Sequence, residues 1–255
     1  MPLTFQITPR AVVRLLAPIV AVLVLTTFAA QVLKMTDAVP HAITRLFDSN
    51  SKMNFPTAYK ILALLSCTLL LALITVAKRR QGDRYARHWK GLALAFLFLT
   101  ADEATMIHQN LDRALQRVTG TDGALFFSWT LVYVPLVVIF ALAYLPFLRS
   151  LRPRQRLLFV AAGACYAGGS GGLEFLKSAA YTAAGYEVTL RFGLLAALSD
   201  SLQEVGLLVF IYALLVELTA HVEEVRLRLQ TQPASSWAAS EEGHVPDAVT
   251  GRATP

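Results

Sequence analysis

Six stretches of this chain, at about 14–33, 58–77, 90–111, 125–148, 156–181 and 192–219, are apolar for long enough to cross a bilayer as helices. A span needs roughly 20 mostly apolar residues, and backbone in lipid must satisfy its own hydrogen bonds, so few folds remain open to such a chain. The composition points the same way, with 55% hydrophobic and 16% charged residues, where soluble domains carry about 25% charged. The expectation is an all-α polytopic membrane protein, a six-helix transmembrane bundle over residues 1–228. Residues 229–255 are too poor in apolar side chains to fold alone and read as a disordered cytoplasmic tail. Just before them, HVEEVRLRLQ reads as a cytoplasmic extension of the last helix.

A formal net charge of +6 would suggest a nucleic-acid partner in a soluble protein. Here the basic residues gather in short loops, where they orient helices instead. One loop carries Lys78, Arg79, Arg80, Arg84, Arg87 and Lys90, and another Arg149, Arg152, Arg154 and Arg156. Both loops are expected on the cytoplasmic side, which puts both termini inside. The first stretch, preceded by Arg10 and Arg14, reads as an uncleaved signal anchor. The only cysteines, Cys67 and Cys165, fall inside apolar segments and read as packed thiols.

Against this background the ionisable residues stand out. Holding a charge in a spanning helix costs about 3 kcal/mol or more, so such groups usually face a polar interior and serve a function. The third stretch, LALAFLFLTADEATMIHQNLD from Leu92 to Asp112, sets Asp102 and Glu103 side by side, with His108 further on. The fifth carries Glu174 and Lys177, and the sixth Asp200 and Glu204. At about 1.5 Å per residue, the carboxylates of all three helices fall in the central to outer part of the bilayer. On a continuous helix His108 lies about 120° around the axis from Asp102. Asp102 and Glu103 are therefore expected as inner members of the site, with His108 and Asp112 lining its mouth.

Three chemistries suit such a set. Glu103, His108, Glu174, Asp200 and Glu204 are ligand types used for iron, zinc or manganese, which suggests a metal-dependent membrane enzyme acting on a lipid-soluble or periplasmic substrate. Asp102, Glu103, Glu174, Asp200 and Glu204 are equally candidate acid/base or proton-relay groups of a small proton- or cation-coupled transporter, with Lys177 as counter-ion. No inverted repeat of the transporter kind is evident. The third reading is a structural subunit whose acids tie helices together.

Two further features bear on packing. Ala164, Gly168 and Gly172 form a small-residue stripe that admits another helix, within the bundle or from a homo-oligomer or membrane-complex partner. The glycine cluster from Gly168 to Gly172 can also loosen the helix. In the first outer connection, residues 38–47 suggest a short amphipathic helix. The following DSNSKMNFP begins like a calcium loop through Asp48, Asn50, Lys52 and Asn54. It lacks the required glycine and distal glutamate, and a turn into Pro56 is expected.

These residues also carry a resemblance. Asp102, Glu103, Ile107 and His108, then Asp200, Leu202, Glu204 and Gly206, with the NFP at 54–56, resemble the motifs of a family of uncharacterised bacterial multi-pass membrane proteins. The resemblance covers about half of the chain and implies a shared intramembrane site in the bacterial cytoplasmic (inner) membrane. Gln109 and Gln203 stand here where that pattern has acids.

Overall fold

The computed structural model describes residues 8–36, 39–48, 51 and 54–220. The HVEEVRLRLQ extension, the tail at 229–255, Asn50 and Lys52 lie outside the described residues. Every regular element within them is helical. In chain order these are α1 (Pro9–Thr36), the short α2 (His41–Thr44), α3 (Phe55–Arg80), α4 (Ala86–Thr105), α5 (Ile107–Thr119), α6 (Thr130–Ser150), α7 (Pro153–Ala167), α8 (Leu173–Ala183) and α9 (Leu190–Thr219). Four of them, α1, α3, α6 and α9, are long and apolar enough to cross a membrane. The pair α4 and α5 makes a fifth candidate, bent by 72°. Between α7 and α8 the helical backbone continues through a π turn at Gly168–Gly172.

The centre of the bundle is α9, which packs against α1, α3, α7 and α8. Leu64, Cys67 and Leu71 of α3, Trp89 of α4, Phe159 of α7 and Leu207, Phe210 and Leu214 of α9 form one continuous core. Glycines set how closely α7 approaches α9. A Cβ on Gly206 would stand 2.9 Å from both Ala162 O and Tyr166 N, and one on Gly169 would stand 2.6 Å from Ser199 O. The stripe expected for this contact, Ala164, Gly168 and Gly172, instead lines a cavity. A Cβ on Gly168 or Gly172 would meet nothing within 4 Å. The small residues that bring the helices together are thus Gly169, a neighbour of the expected ones on another face of the same rod, and Gly206 on α9.

The expected unbroken helix at 90–111 ends at Met106, which takes the left-handed conformation (φ 57°). Asp102 is responsible on both sides of the break. Its backbone carbonyl accepts from Met106 N and closes α4, while its side chain accepts from His108 N at 2.8 Å and supplies a partner to the first turn of α5. Helix α5 then leaves the line of α4 as an amphipathic segment.

The first connection is a capped turn. Asp48 accepts from Gln31 Nε2 at 3.1 Å and from Lys34 Nζ at 2.6 Å. Asn54 donates to the carbonyls of Asp48 and Ser51 and accepts from Thr57 N at 2.6 Å, as the N-cap of α3. Asp48 and Asn54 are thereby committed to holding the loop. Of the expected amphipathic segment, α2 and a 3-10 turn at Arg45–Phe47 form, with the Phe47 ring tilted against Phe55 at 5.3 Å.

Helix α6 stands off from the rest. Its two ends are tied by side chains: Tyr133 OH donates to Asp102 at 3.0 Å near one end, and Tyr144 OH to His88 O at 3.1 Å near the other. Phe147 packs at 5.0 Å from Trp89. Between these ties the helices separate, and the space so left is the cavity.

Candidate functional site

The cavity measures about 1260 Å³ and is bounded by α4, α6, α7, the π turn, α8 and α9, with α3 and α5 closing one end. Most of its wall is apolar, with Leu92, Phe96, Val138, Phe140 and Phe159 among the side chains along its length. Towards the end where α4 breaks, acidic and basic groups from five helices line it: Lys60, Asp102, Glu103, His108, Asp112, Arg113, Glu174, Lys177 and Asp200.

Lys60 organises this end. Its ammonium lies 2.8 Å from Glu103 Oε1 on α4 and 3.0 Å from Asp200 Oδ1 on α9, so one side chain of α3 links three helices. All three side chains are nearly buried, and two carboxylates share a single cation. Sequence reasoning missed Lys60. Two residues inside the expected start of its span, it reads as a lysine whose long stem reaches back to the interface. The available signal was its isolation: from Lys60 to Ala77, no other ionisable Lys, Arg, Asp or Glu interrupts the apolar run.

A second pair forms at the break. His108 Nδ1 lies 2.8 Å from Asp102 Oδ2, so Asp102 receives both the backbone and the ring of His108 together with Tyr133 OH. On an unbroken helix this contact was excluded; the turn at Met106 folds His108 back over its own helix. A carboxylate on Nδ1 orients an imidazole and leaves Nε2 as the nitrogen that exchanges a proton. The His108 ring also lies 5.4 Å from Trp129, which lies 5.2 Å from Tyr133.

The remaining candidates divide. Glu174 lines the cavity but is held by its own neighbour Lys177, at 2.7 Å. Lys177 in turn stands 5.7 Å from the Phe127 ring. Asp112 accepts from Trp129 N at 3.2 Å, and among the described residues no Lys or Arg lies within ion-pair distance of it. Arg113, beside it in sequence, turns to Gln109 O and Asn110 Oδ1. Glu204 does not line the cavity, although it follows Asp200 by one turn. It is 1% exposed, and neither carboxyl oxygen has a hydrogen-bond partner among the described residues. Gln203, placed where an acid was weighed, hydrogen-bonds Ser199 Oγ at 3.2 Å, and Ser199 holds Gly169 O at 2.8 Å. At the rim, exposed Tyr186 donates to Asp122 at 3.1 Å, which raises its phenol above the ordinary value.

These positions do not fit the expected metal centre. Glu103, His108, Glu174, Asp200 and Glu204 do not converge, and no three His, Cys, Asp or Glu among the described residues are placed to hold a metal ion. Part of the anionic charge of this set is met by lysines instead, Lys60 between Glu103 and Asp200 and Lys177 at Glu174.

Residues 16–218 match the family described as Domain of unknown function (DUF8692). No curated protein and no solved structure matches the chain.

Proposed function

Since the chain belongs to the family Domain of unknown function (DUF8692), we propose a function from its own geometry: an integral membrane protein that admits a lipid-soluble molecule into the cavity beside α6 and couples its binding to proton exchange at the charged end. The observation that carries this reading is the Lys60 bridge between Glu103 and Asp200 at the head of a large apolar cavity. A buried cluster with two carboxylates to one ammonium changes its proton occupancy when a ligand enters, because the ligand displaces water and alters the local charge. Asp102 and His108 supply a second proton-exchanging pair on the same wall. The reading is nearer to a proton-coupled transporter than to a metal-dependent enzyme.

The arrangement in the membrane is part of this proposal. With the rod α7 to α8 taken as a crossing, the helices would make six passages, which puts the start of α1 and the end of α9 on one side. The basic residues Lys78 to Arg87 and Arg149 to Arg156 then lie together at the end away from the charged cluster, which supports a cytoplasmic placement for them. Within the bacterial family that the motifs resemble, the charged end would face the periplasm.

Proton counting tests the function. Tetraphenylphosphonium, tetraphenylborate and triphenylmethanol are added in turn to the solubilised full chain in weak buffer with a pH dye. The expected result is proton uptake or release with at least one of them, absent in Lys60→Met and in the cavity-filling Ala164→Phe. No proton exchange with any of the three overturns the reading.

A further inference from the structure

The charges facing the cavity do not balance. Five carboxylates, Asp102, Glu103, Asp112, Glu174 and Asp200, line it against the three cations Lys60, Lys177 and Arg113. Lys60 compensates one of its two carboxylates, Lys177 is used by Glu174, and Arg113 bonds Gln109 O and Asn110 Oδ1. Among the described residues, Asp102 has only His108 within ion-pair distance as a source of positive charge. Asp112 has no basic partner within ion-pair distance among the described residues, while Glu174 and His108 lie close enough to act on its charge. The wall therefore carries a formal excess of negative charge when His108 is neutral, in a setting where low dielectric makes charge complementarity count. Asp112 is bonded by the Trp129 backbone N–H and Asp102 by the Tyr133 hydroxyl, and both of these aromatic residues are on the cavity wall with their rings 5.2 Å apart. Aromatic faces next to carboxylates suit a weakly hydrated cation better than any anion. Beyond them the wall is apolar, and the small residues Ala164, Gly168 and Gly172 leave the width for a bulky body.

We propose that the molecule taken into the cavity is a lipophilic organic cation, its charge held among Asp112, Asp102, Trp129 and Tyr133 and its apolar body along Phe96, Val138 and Phe140. An anion of the same shape would meet the excess carboxylates, and a neutral molecule would leave them uncompensated. This inference rests on the cavity reading above and adds the charge of the ligand.

Two ions of nearly the same shape and opposite charge test it. Binding of tetraphenylphosphonium, tetraphenylborate and triphenylmethanol to the solubilised full chain is measured separately by equilibrium dialysis. The expected result is saturable binding of the phosphonium, weakened about tenfold or more in Asp112→Asn, which corresponds to one lost charge contact, and regained in Asp112→Glu. Ala164→Phe, which fills the cavity, abolishes it. Equal elution profiles for wild type and variants exclude misfolding as the cause. Saturable borate or alcohol binding without phosphonium binding overturns the cationic ligand and leaves the cavity function standing, and so does phosphonium binding that Asp112→Asn does not change. If no probe binds better to the wild type than to Ala164→Phe, the cavity reading falls as well.

Discussion

Asp102 and His108 are six positions apart and meet twice, through the His108 backbone N–H and through its ring, each at 2.8 Å. The contact exists because one residue between them, Met106, adopts a left-handed backbone. It converts what the sequence offers as a continuous span into a helix, a sharp turn and an amphipathic second helix, and it places an imidazole at the head of the cavity.

Met106 is the first place to test this. A side chain in the left-handed region costs about 1 kcal/mol that glycine avoids. Met106→Gly is expected to match or exceed the wild type in thermal unfolding of the detergent-solubilised protein. Met106→Val, with a branched Cβ, is expected to unfold at a lower temperature. The reverse order would argue against a break at this residue.

The Lys60 bridge predicts a non-additive series. Removing the cation alone strands two nearly buried carboxylates, and breaking such a pair from one side costs about 3 kcal/mol or more. Lys60→Met is therefore expected to be strongly destabilised, with much of the loss recovered in the triple variant Lys60→Met, Glu103→Gln, Asp200→Asn. Unfolding midpoints of the single and triple variants decide it. A triple variant no better than the single one would mean that the three groups are not coupled.

The glycines around the contact of α7 with α9 separate by role. Gly206→Ala forces a Cβ to 2.9 Å from two backbone atoms and is expected to lose about 1–3 kcal/mol through overpacking. Gly168→Ala, in open space at the cavity wall, is expected to be neutral or slightly stabilising. Equal effects at both sites, in the same unfolding assay, would contradict the close approach of α7 and α9.

Asn54 supplies a smaller test. Its side chain accepts from Thr57 N and also donates to Asp48 O and Ser51 O. Asn54→Ala is expected to cost about 1 kcal/mol from the lost cap. Asn54→Asp keeps the acceptor and is expected to recover part of that loss.

Much of the fold was legible because apolar length is a property of the chain itself. Among the six expected spans, those at 14–33, 58–77 and 192–219 lie within α1, α3 and α9, and most of 125–148 lies within α6. The third was legible as apolar but not as broken. Its turn depends on Asp102 using its carbonyl and its carboxylate on opposite sides of Met106, and no residue type there announces a stop as Gly or Pro would. The acids that line the cavity were visible as improbable charges in apolar runs. Their partners were not. Lys60 looked like a boundary residue, and only the packing of α3 between α4 and α9 carries its ammonium to Glu103 and Asp200.

Hydrophobicity and charge are summed along the chain, so the residues in order determined that this is an all-helical protein with spans fit for a bilayer and costly carboxylates within them. Which carboxylates share a cation, which face a cavity and which, like Glu204, are buried away from it with no hydrogen-bond partner among the described residues depends on the rotation and spacing of helices far apart in the chain. Contacts such as Gly206 against Ala162 set that spacing, and the standing-off of α6 opens the space. These are properties of packing between surfaces, and the tertiary structure alone decided them.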